Sequence, residues 1–350
     1  MSSFYKLNIK EVKRETTDSV SVLFNVPLEF KAFYTYLAGQ YTTLKLKLDG
    51  EEIRRAYSIC SSPESGELRI AVKAVKGGAF SQLANTKLKA GDTLEVGTPE
   101  GKFTFVADAD RARNYAAFVA GSGITPVLSI IQSVLSSEPK SSFILVYGNK
   151  TPEETMFHQL LHDLQQKYVA RFFVHYVYSQ SKIEGELFGR IEKSTVNFIL
   201  KNKHKELEFE KFYLCGPETM INTVSDVLKE NNVKESAIKF ELFTPSAEEN
   251  QIKKSLGGHT KITIMVDDEE TTFEMSQKQT VLDAALKQGL DAPYSCQGGI
   301  CSSCLARITS GTAEMTKNSI LTDKEIADGL ILTCQAHPTS ETIYVDYDDV

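Results

Sequence analysis

Six cysteines in 350 residues are too few to staple a disulfide scaffold. No apolar run approaches the about twenty residues that span a bilayer, and Met1 to Asn8 hold no basic region followed by an apolar stretch. Positive charge is in deficit: 39 Lys and Arg face 46 Asp and Glu, a formal net charge of −7, which argues against a nucleic-acid partner. The expectation is a cytoplasmic protein that binds neither nucleic acid nor membrane. An apolar fraction of 41% is ample for buried cores, and the length suggests two or three domains. The acidity is unevenly spread. From Gly258 to Val350 there are 15 Asp and Glu against 6 Lys and Arg, a balance of −9, so the remaining residues sum to +2. A solvated acidic surface accounts for this, and so does a docking face for a basic patch on a partner.

Four of the six cysteines form a pattern. Cys296, Cys301 and Cys304 stand as Cys-x4-Cys-x2-Cys in Pro293-Tyr-Ser-Cys-Gln-Gly-Gly-Ile-Cys-Ser-Ser-Cys304, and Cys334 follows after 29 intervening residues. That is the plant-type spacing for a [2Fe-2S] cluster, in which four thiolates hold two irons and one electron passes at a time. Gly298 and Gly299 let backbone N–H groups face the sulfurs where a side chain would intrude. A structural zinc site uses the same residue type, but its ligands usually come as two short Cys-x2-4-Cys pairs and only one is present. Cys60 and Cys215 are left over as free thiols.

From Phe4 to Val106 short β-type runs are broken by Gly, Pro and Asp, as in Val20–Phe24, Tyr41–Leu46 and Leu68–Val72, and the expectation is a small antiparallel β-barrel. Within it, Arg54-Arg55-Ala56-Tyr57-Ser58 places Arg55 and Tyr57 on one strand face, a cation beside an aromatic plane. Such a pair suits a ligand with a phosphate and a flat ring. Downstream, Gly77-Gly78-Ala79-Phe80-Ser81 reads as a glycine turn into a short helix whose free amides could hold a diphosphate. In this order and spacing the two stretches, with Gly97-Thr-Pro-Glu-Gly-Lys-Phe103 behind them, resemble the FAD-binding barrel of the ferredoxin-reductase superfamily. The resemblance implies that Arg55 contacts FAD phosphate, that Tyr57 packs on the isoalloxazine, that Ser58 lies near its N5, and that Gly77, Gly78 and Ser81 form the diphosphate loop.

From about Arg111 strands and helices alternate. Tyr115–Ala120 is a continuous apolar run, as in a parallel strand covered on both faces, and Gly121-Ser122-Gly123-Ile124-Thr125-Pro126 follows it. Thr125 is the expected N-cap and Pro126 the first helical residue, a turn that offers N–H groups to a phosphate. Thr151 and Glu154 read as a capping box for the next helix, and Ile191 to Leu200 as another helix. Five strands, the last at Ile238–Phe243, with four intervening helices make a doubly wound sheet with ligands at the strand C-terminal ends. His158 and His162 would share a helix face in the geometry of a metal pair; no third ligand is suggested, which favours solvent-exposed histidines.

The same superfamily resemblance implies that Gly121, Gly123, Thr125 and Pro126 bind a nicotinamide dinucleotide. It also places Cys215, Gly216 and Pro217 beside the hydride-transfer centre. Phe243 stands where relatives set an aromatic against the flavin, although an apolar strand end explains it equally well. Relatives that prefer NADPH often carry Ser-Arg after the third strand; here the residues are Ser179-Gln180-Ser181-Lys182, with Lys150 and Lys182 as possible substitutes, so NADPH and NADH both stay open.

Residues 245–257, rich in Ser and charge, read as a linker. Strands at Lys261–Val266 and Thr271–Met275, a helix at Val281–Gln288, the cysteine loop and closing strands follow the β-grasp ferredoxin pattern. The expected fold is multidomain α+β: an FAD barrel over 1–108, a doubly wound α/β NAD(P) domain over 109–244, the linker, and a [2Fe-2S] β-grasp domain over 258–350. Nearly the whole chain thus resembles the oxygenase reductases of the ferredoxin-reductase superfamily that carry a C-terminal plant-type ferredoxin. The flanks Asp291–Cys296 and Ile331–Pro338 look like the reductase subunits of phenylacetyl-CoA epoxidases. What this implies is electron flow from NADPH or NADH through FAD and the cluster to an oxygenase component, a multisubunit diiron epoxidase. No diiron carboxylate pattern or haem-binding helix is present to carry oxygen chemistry here. A reductase for another oxygenase, a stand-alone ferredoxin or flavin reductase, and a non-catalytic zinc-bearing module are the alternatives.

Overall fold

A computed structural model describes residues 3–48, 50–243 and 257–350, so the expected linker at 245–257 lies, but for Gly257, outside the described residues. One compact unit runs from Phe4 to Phe243, and a second takes the C-terminal part from Thr244 on.

The first unit begins with six antiparallel strands: β1 (Phe4–Thr16), β2 (Ser19–Asn25), β3 (Tyr41–Leu48), β4 (Glu51–Ser58), β5 (Leu68–Lys73) and β6 (Thr93–Gly97). Their order is β4-β3-β6-β1-β2-β5, and an antiparallel bridge from Ile59 to Ile70 joins the two ends into the expected barrel. Leu7, Val22, Leu44, Ile70 and Val72 fill it, with Phe80 from helix α1 (Ala79–Thr86) as plug.

Six parallel strands follow: β7 (Asn114–Ala120), β8 (Ser142–Asn149), β9 (Phe172–Tyr178), β10 (Leu187–Phe188), β11 (Phe209–Cys215) and β12 (Ile238–Glu241). Their order, β10-β9-β8-β7-β11-β12, reverses between β7 and β11, and ligands of open α/β sheets bind outside the strand C-termini at such a switch point. The helices are α2 (Ile124–Ser137), α3 (His158–Lys167), α4 (Lys193–Phe198) and α5 (Glu218–Glu230). Helix α2 ties this sheet to the barrel. Ser129 Oγ donates to Ser61 O at 2.6 Å, Gln132 Nε2 to Cys60 O at 3.1 Å, and Ser133 Oγ to Glu64 Oε2 at 2.8 Å.

Five local expectations need correction. Thr125 lies inside α2 rather than at its N-cap, because the 3-10 turn Gly121–Gly123 starts the winding earlier; its hydroxyl donates back to Ser122 O at 3.0 Å. The turn expected at Thr151 does form, with Thr151 Oγ1 accepting from Glu154 N at 3.4 Å, but no helix continues from it. The buried Met156 and Phe157 pull the chain inward, Phe157 adopts φ +60°, and α3 starts at His158. The helix expected over Ile191–Leu200 is α4 followed by a π turn, Ile199–Lys203. The sixth strand, β10, is a two-residue element too short to register as periodicity, and the last strand stops at Glu241.

At the other end of this sheet Glu138 is fully buried. It accepts from Tyr115 Oη at 3.0 Å, Ser141 Oγ at 2.6 Å and Asp108 N at 2.9 Å, while Arg171 donates to the carbonyls of Leu135, Glu138 and Ser141. A buried carboxylate so fully bonded is costly to alter. Glu138→Gln, which puts an NH2 group against these donors, should lower unfolding stability by about 1–3 kcal/mol in denaturant melts, with flavin absorbance of the folded protein unchanged.

The second unit holds a five-stranded sheet and a two-stranded one. Its strands are β13 (His259–Val266), β14 (Glu269–Ser276), β15 (Leu305–Ser310), β16 (Ala313–Met315), β17 (Leu330–Leu332), β18 (Ala336–Pro338) and β19 (Thr342–Asp346). The larger sheet has the order β14-β13-β19-β15-β17, with β13 and β19 parallel at its centre, and β16 pairs with β18. Helix α6 (Val281–Lys287) is capped by Thr280, and α7 (Asp323–Ala327) by a reciprocal box of Thr322 and Glu325. Ile262, Ile264, Val281, Ala285, Ile343 and Val345 pack between helix and sheet. Among the described residues no helix is long and apolar enough to cross a membrane.

Candidate functional site

The first site lies in the Phe4–Phe243 unit. Strand alternation sends Arg54 inward, where it pairs with Glu52 at 2.9 Å, and leaves Arg55 exposed on the face of the half-buried Tyr57. Tyr57 leans on Phe80 of α1 with ring centroids 5.3 Å apart, so the Arg55–Tyr57 face adjoins the start of that helix. There Gly77 has φ +77° with open space where a Cβ would be, and a Cβ on Gly78 would lie 2.4 Å from Ser81 Oγ and displace that hydroxyl. This is an open cradle at a helix N-terminus without a side-chain cap, which fits a diphosphate. Ser81 itself is committed to the turn: its buried hydroxyl accepts from Val75 N at 3.1 Å and donates to Gly78 O at 3.3 Å.

At the C-termini of β7 and β11 the second half of the site is closely packed. A Cβ on Gly123 would sit 2.3 Å from Cys215 O, so that position requires glycine, while one on Gly216 would press on Met220 Cε at 2.8 Å and on Ala120 at 3.1 Å. Gly121, at φ +55°, faces open space, and Tyr147 Oη donates to its carbonyl at 2.9 Å. Thr125 and Pro126 are buried in the first turn of α2, and Pro217 precedes α5. Phe243 is 37% exposed at the end of the unit.

Sequence reasoning overlooked Glu241. It is the register partner of Cys215 on the adjacent parallel strand, and Ser58 Oγ donates to its Oε2 at 3.3 Å. Poor solvation raises its carboxyl to about 8, only partly offset by the Ser58 hydrogen bond. Burial and the neighbouring Glu241 carboxylate push the Cys215 thiol well up. A hydroxyl, a thiol and a proton-holding carboxyl thus converge where barrel and sheet meet. The only sequence signal for Glu241 is an acidic residue in the short strand Ile238-Lys-Phe-Glu-Leu-Phe243, where Lys239 alternates with it.

The second site is the cysteine loop. Pairing of Leu305 with Leu332 brings Cys304 and Cys334 together, and Thr333 secures them by donating through N and Oγ1 to Cys304 O at 3.0 and 2.9 Å. Cys301 and Cys296 interact directly, as do Cys304 and Cys334, so the four sulfurs form two pairs, as two irons each holding two thiolates require. The Cys296 thiol is drawn down to about 6 by Cys301 and by the N–H groups of Gly298, Ile300 and Cys301; the Gly298 amide lies 3.3 Å from its sulfur. Cys304 and the Gly299 amide likewise lower Cys334. Gly299 is required, at φ +69° with Lys317 O 2.9 Å from its would-be Cβ. Ser295 Oγ, buried beside Cys296, has no hydrogen-bond partner among the described residues, a donor suited to a cluster sulfur. These residues fit a thiolate-held cluster.

His158 and His162 are exposed on α3 as the sequence suggested, with His158 against the Tyr176 ring and His162 beside Gln166. Of the two candidate lysines, Lys150 is paired with Glu154 at 3.3 Å, whereas Lys182 rests over the Phe188 ring at 5.1 Å.

Comparison with known proteins places three family domains along the chain: an oxidoreductase FAD-binding domain over residues 6–105, an oxidoreductase NAD-binding domain over 118–226, and a 2Fe-2S iron-sulfur cluster binding domain over 264–339. The chain is 37% identical over 354 residues to one of the subunits of the 1,2-phenylacetyl-CoA epoxidase of Escherichia coli K12, covering 99% of both proteins. It is 30% identical to the ferredoxin reductase component of 3-ketosteroid-9-alpha-monooxygenase from Rhodococcus rhodochrous, over 97% of this chain and 96% of that protein. The solved phthalate dioxygenase reductase shares the fold, with a TM-score of 0.63, 23% identity and 98% coverage of each chain. This is an oxidoreductase, and the chain belongs to the family of reductases that join an FAD-binding, an NAD-binding and a 2Fe-2S cluster domain in one polypeptide.

Proposed function

We propose that this protein is the cytoplasmic reductase component of a multicomponent oxygenase, and that its partner is a multisubunit diiron phenylacetyl-CoA 1,2-epoxidase. The observation that carries the reading is the meeting of Ser58, Cys215 and Glu241 between an FAD-type barrel and an NAD-type sheet, in a chain that also holds a four-cysteine loop. Full-length identity to a component of such an epoxidase supports the choice of partner. When bound, NAD(P)H supplies two electrons as hydride, FAD divides them, and the [2Fe-2S] cluster passes them on singly.

The chain's own residues do the rest. Arg55 and the Gly77–Ser81 cradle hold the flavin diphosphate by charge and backbone amides, and Tyr57 packs on the ring. Gly121, Gly123, Thr125 and Pro126 shape the dinucleotide turn, and Cys215, Gly216 and Pro217 bring the nicotinamide close, with Phe243 flanking the ring. Burial keeps Cys215 protonated and uncharged beside the hydride path. Glu241 keeps its proton at neutral pH and accepts from Ser58 Oγ, so the pair adds no charge beside the hydride path. Cys296, Cys301, Cys304 and Cys334 hold the cluster, and the acidic second unit meets a basic face of the oxygenase.

The test is an anaerobic titration of the holoprotein with NADH and with NADPH, followed by addition of the epoxidase oxygenase component. Bleaching of flavin and cluster that reverses on adding that component and its substrate is expected; reoxidation indifferent to the component would refute the partnership. Lys182 is the cation left to meet a 2′-phosphate, since Lys150 is paired with Glu154. Lys182→Ala should therefore raise KM for NADPH by about five- to tenfold, the effect of one exposed phosphate contact, and leave KM for NADH unchanged in steady-state assays.

A further inference from the structure

The tightest histidine pair in the molecule is not the one that sequence spacing suggests. His175, in the middle of β9, and His204, just past the π turn that follows α4, meet with their Nε2 atoms 2.8 Å apart. Their ring centroids are 5.1 Å apart with planes inclined by 64°. Both residues are anchored. His175 is held in the β8–β9 ladder opposite Val146, and His204 N donates to Ile199 O at 3.0 Å while its carbonyl accepts from Leu207 N at 3.1 Å. The Phe173 ring lies 5.4 Å from that of His204. A π turn is a rare way to end a helix, and such turns are often found at functional sites; here it is what aims His204 at β9.

Two imidazoles at this distance share one proton, one nitrogen donating and the other accepting. Desolvation, the facing ring and Lys203 hold His175 down to about 4, and desolvation also lowers His204 despite Glu206 nearby. Both rings are therefore neutral at physiological pH, the form that ligates metals. Two nitrogens about 2.0–2.1 Å from one metal are about 2.8–3.0 Å apart when the angle at the metal is near 90°, and about 3.3–3.4 Å apart when it is tetrahedral. The observed 2.8 Å matches the right angle of square-planar or octahedral ions. His175 is half-buried and His204 is buried, with 8% of its surface exposed, so a metal would enter past His175. No third His, Cys, Asp or Glu joins it among the described residues, which leaves the other coordination positions to water.

The geometry points to a divalent transition-metal site of the nickel or copper class, held by the Nε2 atoms of His175 and His204 and clamping β9 to the turn after α4. On binding, the ring that donates in the pair moves its proton from Nε2 to Nδ1, a change of tautomer with no change in net charge.

Ni2+ is the probe, because it takes imidazole ligands and is not reduced by flavin or cluster. It is titrated into the holoprotein by equilibrium dialysis with cluster absorbance monitored, and the unfolding midpoint is read with and without Ni2+ in excess Mg2+. The expected result is one equivalent bound and a raised midpoint. Both effects should weaken by about tenfold or more in His204→Gln and in His175→Gln, and stay within about twofold in the His158→Gln/His162→Gln double variant. Should His204→Gln lose its flavin spectrum, the His175→Gln result decides. Absence of Ni2+ binding, binding that survives both single substitutions, or loss confined to the His158/His162 variant overturns the site.

Discussion

Cys334→Ser and Cys304→Ser should each cut NAD(P)H-driven reduction of cytochrome c by more than about a hundredfold, the effect of removing an obligatory relay rather than weakening it. Reduction of ferricyanide, a small acceptor that can draw electrons at the flavin, should stay near wild type. The separation follows from the architecture. The residues proposed to hold the flavin lie in the Phe4–Phe243 unit with its own core, and the cysteines lie in the second unit with another. Cys304 and Cys334 hold each other through paired strands and Thr333, so losing either breaks one half of the two-pair sulfur set without touching the barrel. Stopped-flow absorbance at the cluster and flavin bands separates the steps. Cytochrome c reduction that persisted at the wild-type rate in both variants would exclude the cluster from the path.

Glu241→Gln is expected to hold flavin reduction by NAD(P)H within about twofold of wild type at neutral pH, since the amide, like the protonated carboxyl, sets no charge beside the hydride path, and to exceed wild type by about tenfold at about pH 9, where a Glu241 carboxylate opposes the arriving hydride. The pH profile carries the stronger evidence. With its carboxyl raised to about 8, Glu241 is protonated at neutral pH, so the wild-type rate should fall as pH rises through about 8 and the Gln variant should show a flat profile there. Stability follows the same group with a definite sign. The unfolded chain releases this proton near the ordinary carboxyl value of 4.5 and the folded chain only near 8, so between these values the native state binds more protons. Wild-type stability relative to Glu241→Gln should therefore decline as pH rises from about 4.5 to about 8 and level off above. An unchanged difference across that window, measured by denaturant unfolding, would place the proton elsewhere.

How much of this was legible in the sequence depends on how local each feature is. The cysteine loop is set by spacing within nine residues, and its glycines answer to a backbone that must turn its amides toward sulfur; such constraints are written in consecutive letters. The glycine turns after β5 and β7 are legible for the same reason, since a phosphate cradle occupies a few neighbouring residues. Thr151 with Glu154 shows the limit: the local hydrogen bond forms, but two buried side chains at Met156 and Phe157 override the helix it would start. Glu241 marks a deeper limit. Its meaning comes from pairing with Cys215 across parallel strands and from a hydroxyl 183 residues earlier in the chain, and neither relation leaves a trace in spacing. His175 and His204 are alike in this, brought together by a strand and a π turn rather than by a helical repeat.

The edge position of β14 has a consequence of its own. An eight-residue strand at the end of the sheet, paired among the described residues on one side only, with β13, offers a row of open backbone groups on which another chain could grow. Glu269, Glu270 and Glu274 lie along it, and Glu270 is braced by the Tyr344 hydroxyl at 2.6 Å. Any second copy that tried to extend the sheet there would set its own carboxylates against these. Carboxylates on an edge strand are one of the devices that oppose edge-to-edge growth of sheets, so the negative charge on β14 also disfavours addition of a second copy there.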